Sequence, residues 1–94
     1  MINSSIKSSL KEKARYIEPV VRIGKNGITD GSTQEIVKHL KKKGLIKIKL
    51  LRAFAEEHDR EDEAQKLADS CEAELIQVIG NVIVLWKKGS KVNN

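Results

Sequence analysis

Apolar residues near the N-terminus recur every three or four positions, which is the spacing of one face of a helix. These residues are Ile2, Ile6, Leu10, Ala14 and Ile17. One of residues 3–5 (Asn-Ser-Ser) can cap the helix, because a short polar side chain accepts a hydrogen bond from a free N–H of the first turn. Pro19 ends it, since the residue before a proline favours extended backbone. The opposite face is basic and carries Lys11 and Arg15.

A second segment reads as a strand, a loop and a helix. Residues 19–23 include three β-branched residues and predict a short strand. The tight loop that follows consists of Gly24, Lys25, Asn26 and Gly27, called the GKNG loop below. Thr29 or Asp30 then caps a second helix, and Gly44 suits the position just after its end. Its apolar positions are Ile36, Val37 and Leu40, and the lysines that project from it are Lys38, Lys41 and Lys42.

The segment 45–52 alternates apolar and basic residues and predicts a second strand. Ile46, Ile48 and Leu50 share one face, and Lys47 and Lys49 share the other. Such alternation indicates a sheet with one covered face and one partly open face. The sequence leaves the shape of the connection at 53–58 open.

The last third of the chain predicts a helix and a β-hairpin. Asp59 caps a third helix over residues 60–72, whose apolar stripe ends at Cys71. Strands are expected at 75–79 and 82–87. The intervening Gly80-Asn81 fits a type II′ turn, which favours glycine at its first central position.

The predicted order is therefore α-β-α-β-α-β-β, an α/β fold with a four-stranded mixed sheet and helices packed on it. The strand–helix–strand units imply right-handed parallel crossovers, and the final hairpin is antiparallel. The length of 94 residues suits a single domain over residues 1–94, with residues 89–94 as a frayed tail.

Charge is unevenly distributed along the chain. The net charge is +5, yet residues 1–52 carry 13 Lys/Arg against four Asp/Glu, a local charge of +9. Residues 53–74 carry −7 and residues 75–94 carry +3. Segregation of this kind indicates one positive and one negative face, the positive one suited to a polyanion. Charge alone does not separate RNA from DNA or from an anionic membrane, and a solvated surface with chance clustering is the plain alternative.

Several classes of protein are disfavoured by the composition. The longest apolar run, residues 82–86, is far shorter than the ~20 residues of a membrane-spanning helix. The serine-rich N-terminus has no apolar signal core, so we expect a cytoplasmic protein that does not act at a membrane. The single cysteine, Cys71, excludes an intramolecular disulfide and is expected to be a small buried hydrophobe.

Catalytic and metal-binding patterns are weak. The acidic run at 56–63 reads as a solvated helix start, with a divalent-ion site as the minor alternative. His39 and His58 have no second ligand at metal spacing and are interpreted as structural or neutral. We therefore expect no catalytic residues, no metal and no cofactor.

The GKNG loop joins a strand to a helix N-terminus, where backbone N–H groups lack partners and the helix dipole adds positive potential. Its glycines permit close approach of a phosphate, Lys25 supplies a charge, Asn26 can donate or accept hydrogen bonds, and Arg22 lies nearby. Many plain turns contain two glycines, so the loop is informative mainly through its place in the +9 segment. It matches neither the P-loop nor the dinucleotide-binding pattern.

Aromatic residues are scarce, since only Tyr16, Phe54 and Trp86 are present. A sheet-based platform of stacked bases needs aromatics on a sheet face, so contacts to phosphates and recognition of shape are the expected mode. We expect Trp86 to serve core or sheet-edge packing.

Three blocks of sequence resemble the CRM domain, the YhbY-like family of RNA-binding proteins. They are IEPVVRIGKNGITD at 17–30, LIKIKL at 45–50 and AELIQVIGNVIVLW at 73–86. The resemblance covers about residues 2–88 in the right order. Family members often have tyrosine where Trp86 stands. The family's GxxG loop corresponds to the GKNG loop.

The resemblance implies a mixed four-stranded sheet similar to the C-terminal domain of bacterial translation initiation factor three. Single-domain prokaryotic members are associated with the precursor of the large ribosomal subunit, and plant organellar members act in group II intron splicing. It therefore implies a protein that binds ribosomal or other structured RNA. Because catalytic patterns are weak, we expect no enzymatic activity, and because nothing suggests an obligate interface, we expect a monomer. The expected RNA-binding residues are Arg22, Gly24, Lys25, Asn26, Gly27, Lys38, Lys41, Lys42, Lys11 and Arg15.

Two other classes stay open as hypotheses. A small basic DNA-binding or nucleoid protein of related topology would prefer duplex DNA over structured RNA at one salt concentration. A small RNA-processing enzyme would turn over labelled RNA, and the lack of a credible acid–base or metal cluster argues against it.

Overall fold

The computed structural model describes residues 3–87, so the predicted tail at 89–94 lies outside it. Within residues 3–87 four helices and four strands follow one another, and the strands form one mixed sheet in the order β1-β2-β4-β3. The elements are α1 (Ser4–Ala14), β1 (Pro19–Ile23), α2 (Asp30–Lys43), β2 (Leu45–Leu50), α3 (Arg52–Ala55), α4 (Arg60–Ser70), β3 (Glu74–Ile79) and β4 (Val82–Trp86). The predicted α/β fold with a four-stranded mixed sheet is confirmed.

The sheet combines one parallel pair with two antiparallel pairs. β1 runs parallel to β2, as the crossover through α2 requires. β4 lies between β2 and β3 and is antiparallel to both. β3 therefore runs in the same direction as β1 and β2, and the carboxyl ends of all three meet at one edge of the sheet.

One face of the sheet holds the larger core, where α2 and α4 pack. The alternation predicted for β2 is confirmed here, since Ile46, Ile48 and Leu50 are fully buried on this face. Ile36 and Leu40 of α2 contribute to the same cluster. So does the predicted stripe of α4, which consists of Ala64, Leu67, Ala68 and Cys71.

The other face holds a smaller core under α1. Leu10 and Ala14 are buried there against Leu45, Ile76 and Val84. Half-buried Trp86 packs beside this cluster, so its predicted packing role is confirmed, although β4 is central in the sheet rather than at an edge. Because these contacts lie toward the start of β2, α1 covers only part of the face.

The first helix is shorter than its apolar stripe predicted. Its N-cap is Asn3, whose side chain accepts a hydrogen bond from the Ile6 N–H at 2.9 Å. The helix ends at Ala14 rather than just before Pro19, because the chain turns through residues 15–16. Ile17 still packs against the smaller core, whereas Ile6 is 42% exposed.

The connection that the sequence left undefined contains the short helix α3. β2 stops at Leu50, two residues before the predicted end, and Leu51 occupies the N-cap position of α3 without a side-chain capping hydrogen bond. Phe54 of this helix is only 3% exposed and joins the larger core. Burial of this aromatic side chain fixes the connection against the sheet.

The third predicted helix ends at Ser70, two residues early. Glu72 has a φ of 54°, and the Ala73 N–H donates to the Ala68 carbonyl at 2.8 Å. The Glu72 N–H donates to the Asp69 carbonyl at 3.2 Å, so the two bonds form a Schellman motif. This motif needs a left-handed residue after the helix, and that requirement overrides the helical stripe.

The final hairpin turns through Gly80 and Asn81. Gly80 has a φ of 55°. Among non-glycine residues 3–87 only Glu72 has a positive φ, so Asn81 has a negative one. This combination is that of the predicted type II′ turn. The last strand ends at Trp86, one residue before its predicted end.

Candidate nucleic-acid interface

The carboxyl ends of three strands bring separate loops together, and we call this side of the sheet the loop edge. The Leu51 N–H donates to the Ile23 carbonyl at 2.7 Å, which fixes the start of the GKNG loop beside the end of β2. The Leu50 N–H donates to the Asn81 carbonyl at 2.7 Å, which adds the hairpin turn. Ligands of open α/β sheets commonly bind outside the carboxyl ends of the strands.

The GKNG loop is a closed turn that rests on two side chains. The Gly27 N–H donates to the Gly24 carbonyl at 2.9 Å. A Cβ at Gly24 would lie 3.3 Å from Leu51 Cδ1, and one at Gly27 would lie 3.6 Å from the Phe54 ring. Gly27 also has a φ of 74°, a conformation that side chains rarely adopt. The glycines thus permit close packing, while Lys25 and Asn26 are exposed.

The N-terminus of α2 is less available to an anion than the sequence suggested. Thr29 is the N-cap, and its hydroxyl oxygen accepts from the Ser32 N–H at 3.1 Å. The Ser32 hydroxyl oxygen accepts in turn from the Thr29 N–H at 2.9 Å, which completes a capping box. Asp30 adds a negative charge in the first turn. Attraction of a phosphate at this point therefore depends on Lys25 and the loop backbone more than on free amides of the helix.

A basic residue that was not among the predicted site residues lies next to Arg22. Arg22 on β1 and Lys49 on β2 are direct register partners, so both project from the face that α1 partly covers. Lys49 pairs in turn with Val82 on β4, and Val82 pairs with Ile79 on β3. These four residues form a row across the sheet at the loop edge, called the open row below. Arg22 and Lys49 are exposed, and Ile79 is 53% exposed.

The alternation of apolar and basic residues in β2 indicated that Lys49 lies on the partly open face of the sheet. Only the register between β1 and β2 shows that Lys49 lies beside Arg22. Within residues 3–87 neither residue forms a salt bridge, and the same is true of Lys25. These three cations therefore remain available to an anionic ligand at the loop edge.

The other predicted binding residues lie away from the loop edge. α2 runs from the loop edge toward the opposite side of the sheet, so Lys42 lies about 18 Å from Asp30 along the helix axis at 1.5 Å per residue. Lys41 belongs to the same last turn, and Lys38 lies roughly midway along the helix. Lys11 lies in the last turn of α1 and Arg15 is its C-cap. The predicted binding residues therefore do not form one continuous patch.

Acidic residues occupy the opposite side of the loop edge. α4 starts there, since Arg60 Nη1 donates to Asn81 Oδ1 at 2.9 Å. Its first turn carries Glu61, Asp62 and Glu63, and the Asp59 carboxylate accepts from the Asp62 N–H at 3.0 Å. The charge segregation seen in the sequence thus becomes a polarity across this edge, with the basic open row on one face and the start of α4 on the other.

The two histidines differ in their surroundings: His58 contacts Phe54, whereas the buried Nδ1 of His39 has no hydrogen-bond partner within residues 3–87. His58 stacks on Phe54 with 3.9 Å between ring centroids, and its Nδ1 lies 2.8 Å from the Phe54 carbonyl oxygen. His39 is half-buried on α2. In the part of the chain that the structure describes, no group of three or more His, Cys, Asp or Glu side chains is placed to hold a metal ion.

The helices within residues 3–87 include none that is long and apolar enough to cross a membrane. The fold and the loop edge thus define a small α/β domain that presents a glycine loop and unpaired cations at the carboxyl ends of its strands. The chain belongs to the CRM family, because the model of the CRS1 / YhbY (CRM) domain matches residues 2–87.

Relatives support this assignment over nearly the whole chain. A probable RNA-binding protein of Methanocaldococcus jannaschii is 39% identical over 93% of this chain and 69% of its own length. A probable RNA-binding protein of Bacillus subtilis is 33% identical over 97% of this chain and 93% of its own length. The predicted family membership is confirmed, and the family comprises RNA-binding proteins rather than known enzymes.

A solved structure has the same fold. The solution structure of a candidate RNA-binding protein of Staphylococcus aureus superposes with a TM-score of 0.81 and 33% sequence identity. The match covers 100% of this chain and 95% of the other. The two proteins therefore share the mixed sheet and its helices.

Proposed function

We propose that this chain is an RNA-binding protein that contacts structured or ribosomal RNA through its loop edge and takes part in assembly of the large ribosomal subunit. It works as a cytoplasmic monomer. The proposal rests chiefly on one observation: Arg22 and Lys49 lie side by side at the edge of the sheet that also carries the exposed Lys25 of the GKNG loop. Relatives described as probable RNA-binding proteins support RNA as the polyanion.

The charges of the open row suit a phosphate backbone. Neighbouring strands lie about 4.8 Å apart, so Arg22 and Lys49 hold two positive charges at close range on a solvated surface. Each phosphate neutralised by such a charge releases counterions and adds about 0.7–0.9 to the slope of log affinity against log salt. Contacts from these two residues and Lys25 would therefore give a slope of about 2–3.

The apolar half of the open row adds a second kind of contact. Ile79 and Val82 carry no charge, and no aromatic side chain belongs to the row. Unpaired bases expose apolar faces whose burial against aliphatic side chains is favourable. A regular RNA duplex keeps its bases stacked and presents mainly phosphates and hydroxyls. The loop edge therefore favours RNA in which a paired region adjoins unpaired nucleotides.

The test is RNA binding by the full chain over a salt series. Fragments of large-subunit ribosomal RNA should bind at low salt, and the double change Arg22→Ala plus Lys25→Ala should weaken binding and reduce the salt slope. Lys66→Ala is the matched control, because Lys66 lies on α4 and is held by Asp62 at 3.2 Å. Little binding at low salt, or equal loss in the control, contradicts the proposal.

Two further measurements separate the parts of the proposal. Duplex DNA of equal length should bind more weakly than structured RNA at the same salt, and the reverse preference favours the nucleoid alternative. Crosslinking in cells followed by sequencing of the bound RNA should recover large-subunit ribosomal RNA. Recovery of other structured RNAs alone would retain RNA binding and reject the ribosomal role.

A further inference from the structure

The side of the sheet opposite the loop edge carries a second group of basic residues, and we call it the far edge. α1 and α2 both end there. Lys43 lines a hollow together with Ile17, Pro19 and Leu45. The Lys87 N–H donates to the Gly44 carbonyl at 2.9 Å, which brings the end of β4 to the same place. The basic residues of the far edge are Lys13, Arg15, Lys41, Lys42, Lys43 and Lys87.

An exposed aromatic side chain lies within this group. Tyr16 follows the end of α1 and is 79% exposed, whereas Phe54 is 3% exposed and Trp86 is half-buried. Tyr16 belongs to neither core cluster. The Arg15 guanidinium lies 6.0 Å from the centroid of its ring. Core packing therefore does not explain a tyrosine here.

The last turn of α2 carries more lysines than stabilisation of the helix end requires. A cation in the last turn is favoured by the helix dipole. Successive residues of a helix point about 100° apart, so Lys41, Lys42 and Lys43 spread over a wide arc. Only part of that arc faces the open carbonyls, and the remaining charge is directed into solvent. Glu12 and Glu18 are the acids nearest to Arg15 in sequence, and Glu18 lines the same hollow as Lys43. Arg15 pairs with Glu12 at 3.0 Å, and this exposed pair holds Arg15 only weakly.

The two edges are too far apart to serve one short contact. β2 has six residues, which span roughly 17–20 Å at about 3.3 Å per residue. The longest dimension of the molecule is 34 Å. A short RNA segment that contacts only the loop edge therefore leaves the far edge free.

We propose that the far edge is a second RNA-contact surface, in which Tyr16 stacks on an unpaired base and the surrounding lysines neutralise phosphates. This inference rests on the proposed function, because it takes RNA as the ligand of the loop edge. With both edges occupied, one chain holds two RNA segments at once. Stacking on an exposed aromatic ring combined with cationic side chains is how proteins bind unpaired nucleic acid.

The experiment counts RNA molecules on the full chain. Short hairpins with an unpaired loop are added in excess, and the complexes are counted by native mass spectrometry at low salt. The natural chain should bind two hairpins. The far-edge variant Tyr16→Ala plus Lys41→Ala plus Lys42→Ala should bind one, and so should the loop-edge variant Arg22→Ala plus Lys25→Ala. Two hairpins labelled with different dyes should show energy transfer with the natural chain and with control variants that bind two hairpins. Energy transfer should be absent with the far-edge and loop-edge variants.

Matched controls separate stacking from charge. Tyr16→Phe keeps the ring and should retain two hairpins, whereas Tyr16→Ala alone should weaken the second binding step about tenfold, the effect typical of one lost stacking contact. Lys66→Ala should change neither step. Circular dichroism checks that each variant is folded, which is expected because all the altered side chains are exposed.

The outcomes distinguish this inference from the proposed function. If the natural chain binds one hairpin and only the loop-edge variant loses it, the far-edge surface is rejected and the proposed function stands. If the natural chain binds one hairpin and only the far-edge variant fails to bind it, the loop edge is rejected as an RNA-contact surface. The inference that one chain holds two RNA segments is then rejected as well. If binding of both hairpins is unaffected by the far-edge variant, Tyr16 and the lysines of α2 have no role in it and the inference is wrong.

Discussion

Arg22 and Lys49 are direct cross-strand partners, although both side chains are positively charged. Like charges on neighbouring strands repel one another, and between exposed side chains this repulsion is at most about 1 kcal/mol in water. Within residues 3–87 no salt bridge relieves this pair. The sheet thus carries a local electrostatic cost at its loop edge, and a bound phosphate would offset it. The pair therefore links the stability of the free protein to its binding of an anion.

Lys49→Gln should separate stability from binding. Removing one of two facing charges should raise the free energy of unfolding by a few tenths of a kcal/mol, up to about 1 kcal/mol at low salt, because the repulsion between exposed charges is lost. The same change should lower RNA affinity and reduce the salt slope by about 0.7–0.9. Urea unfolding and filter binding measure the two effects. Lower stability with unchanged affinity would show that Lys49 supports the sheet and does not contact RNA.

Ile79→Ser should test the apolar half of the open row. Ile79 is 53% exposed, so the change should alter stability by less than about 0.5 kcal/mol. If unpaired nucleotides pack on this side chain, affinity for a hairpin with an unpaired loop should fall while the salt slope stays constant, because no cation is lost. A blunt RNA duplex provides the comparison and should bind as before. Equal loss for both RNAs contradicts this role of Ile79.

The spacing of apolar residues predicted the helices and strands well, because apolar side chains follow one another without interruption on each core face. Ile46, Ile48 and Leu50 are fully buried, as their alternation indicated. The predicted ends of helices and strands were less accurate, because local hydrogen bonding determines where an element stops. The Schellman motif at Glu72 ends α4 early, and burial of Phe54 turns the connection after β2 into α3.

The binding surface was only partly predictable for a different reason. The GKNG loop and Arg22 are neighbours in sequence, so a local pattern could identify them. Lys49 meets Arg22 only through the strand register. Charge patterning placed Lys41 and Lys42 in the same patch because they follow the loop in sequence, but the helix carries them to the far edge. Direction and register are tertiary properties, and charge patterning along the chain does not contain them.

Gly27→Ala should destabilise the protein more than Gly24→Ala. Gly27 has a φ of 74°, where a side chain costs about 1–2 kcal/mol. Gly24 has no positive φ, and its added Cβ would meet only the flexible end of Leu51 at 3.3 Å. Urea midpoints of the two variants provide the measurement. Equal destabilisation would mean that crowding against Leu51, rather than backbone conformation, governs the loop.

Glu72→Gly should stabilise the protein by roughly 0.5–1 kcal/mol, because glycine adopts the left-handed conformation of the Schellman motif without a steric penalty. Glu72 has a φ of 54° and follows the C-terminal end of α4, where its negative charge also opposes the helix dipole. Glu72→Gln removes the charge alone and should give a smaller gain. Thermal unfolding of both variants checks the order, and a loss of stability in Glu72→Gly contradicts the conformational argument.

Cys71 should be unreactive in the folded protein. Its side chain is 2% exposed, and burial raises the pKa of the thiol, an effect that Lys87 partly opposes. Because the folded state favours the protonated thiol, its stabilising contribution is complete below the pKa of the unfolded thiol and is lost as pH rises through the folded value. Labelling with a thiol reagent at mildly alkaline pH should therefore follow unfolding, and urea should accelerate it. Rapid labelling of all molecules without urea would show that the thiol is accessible and that the end of α4 opens readily.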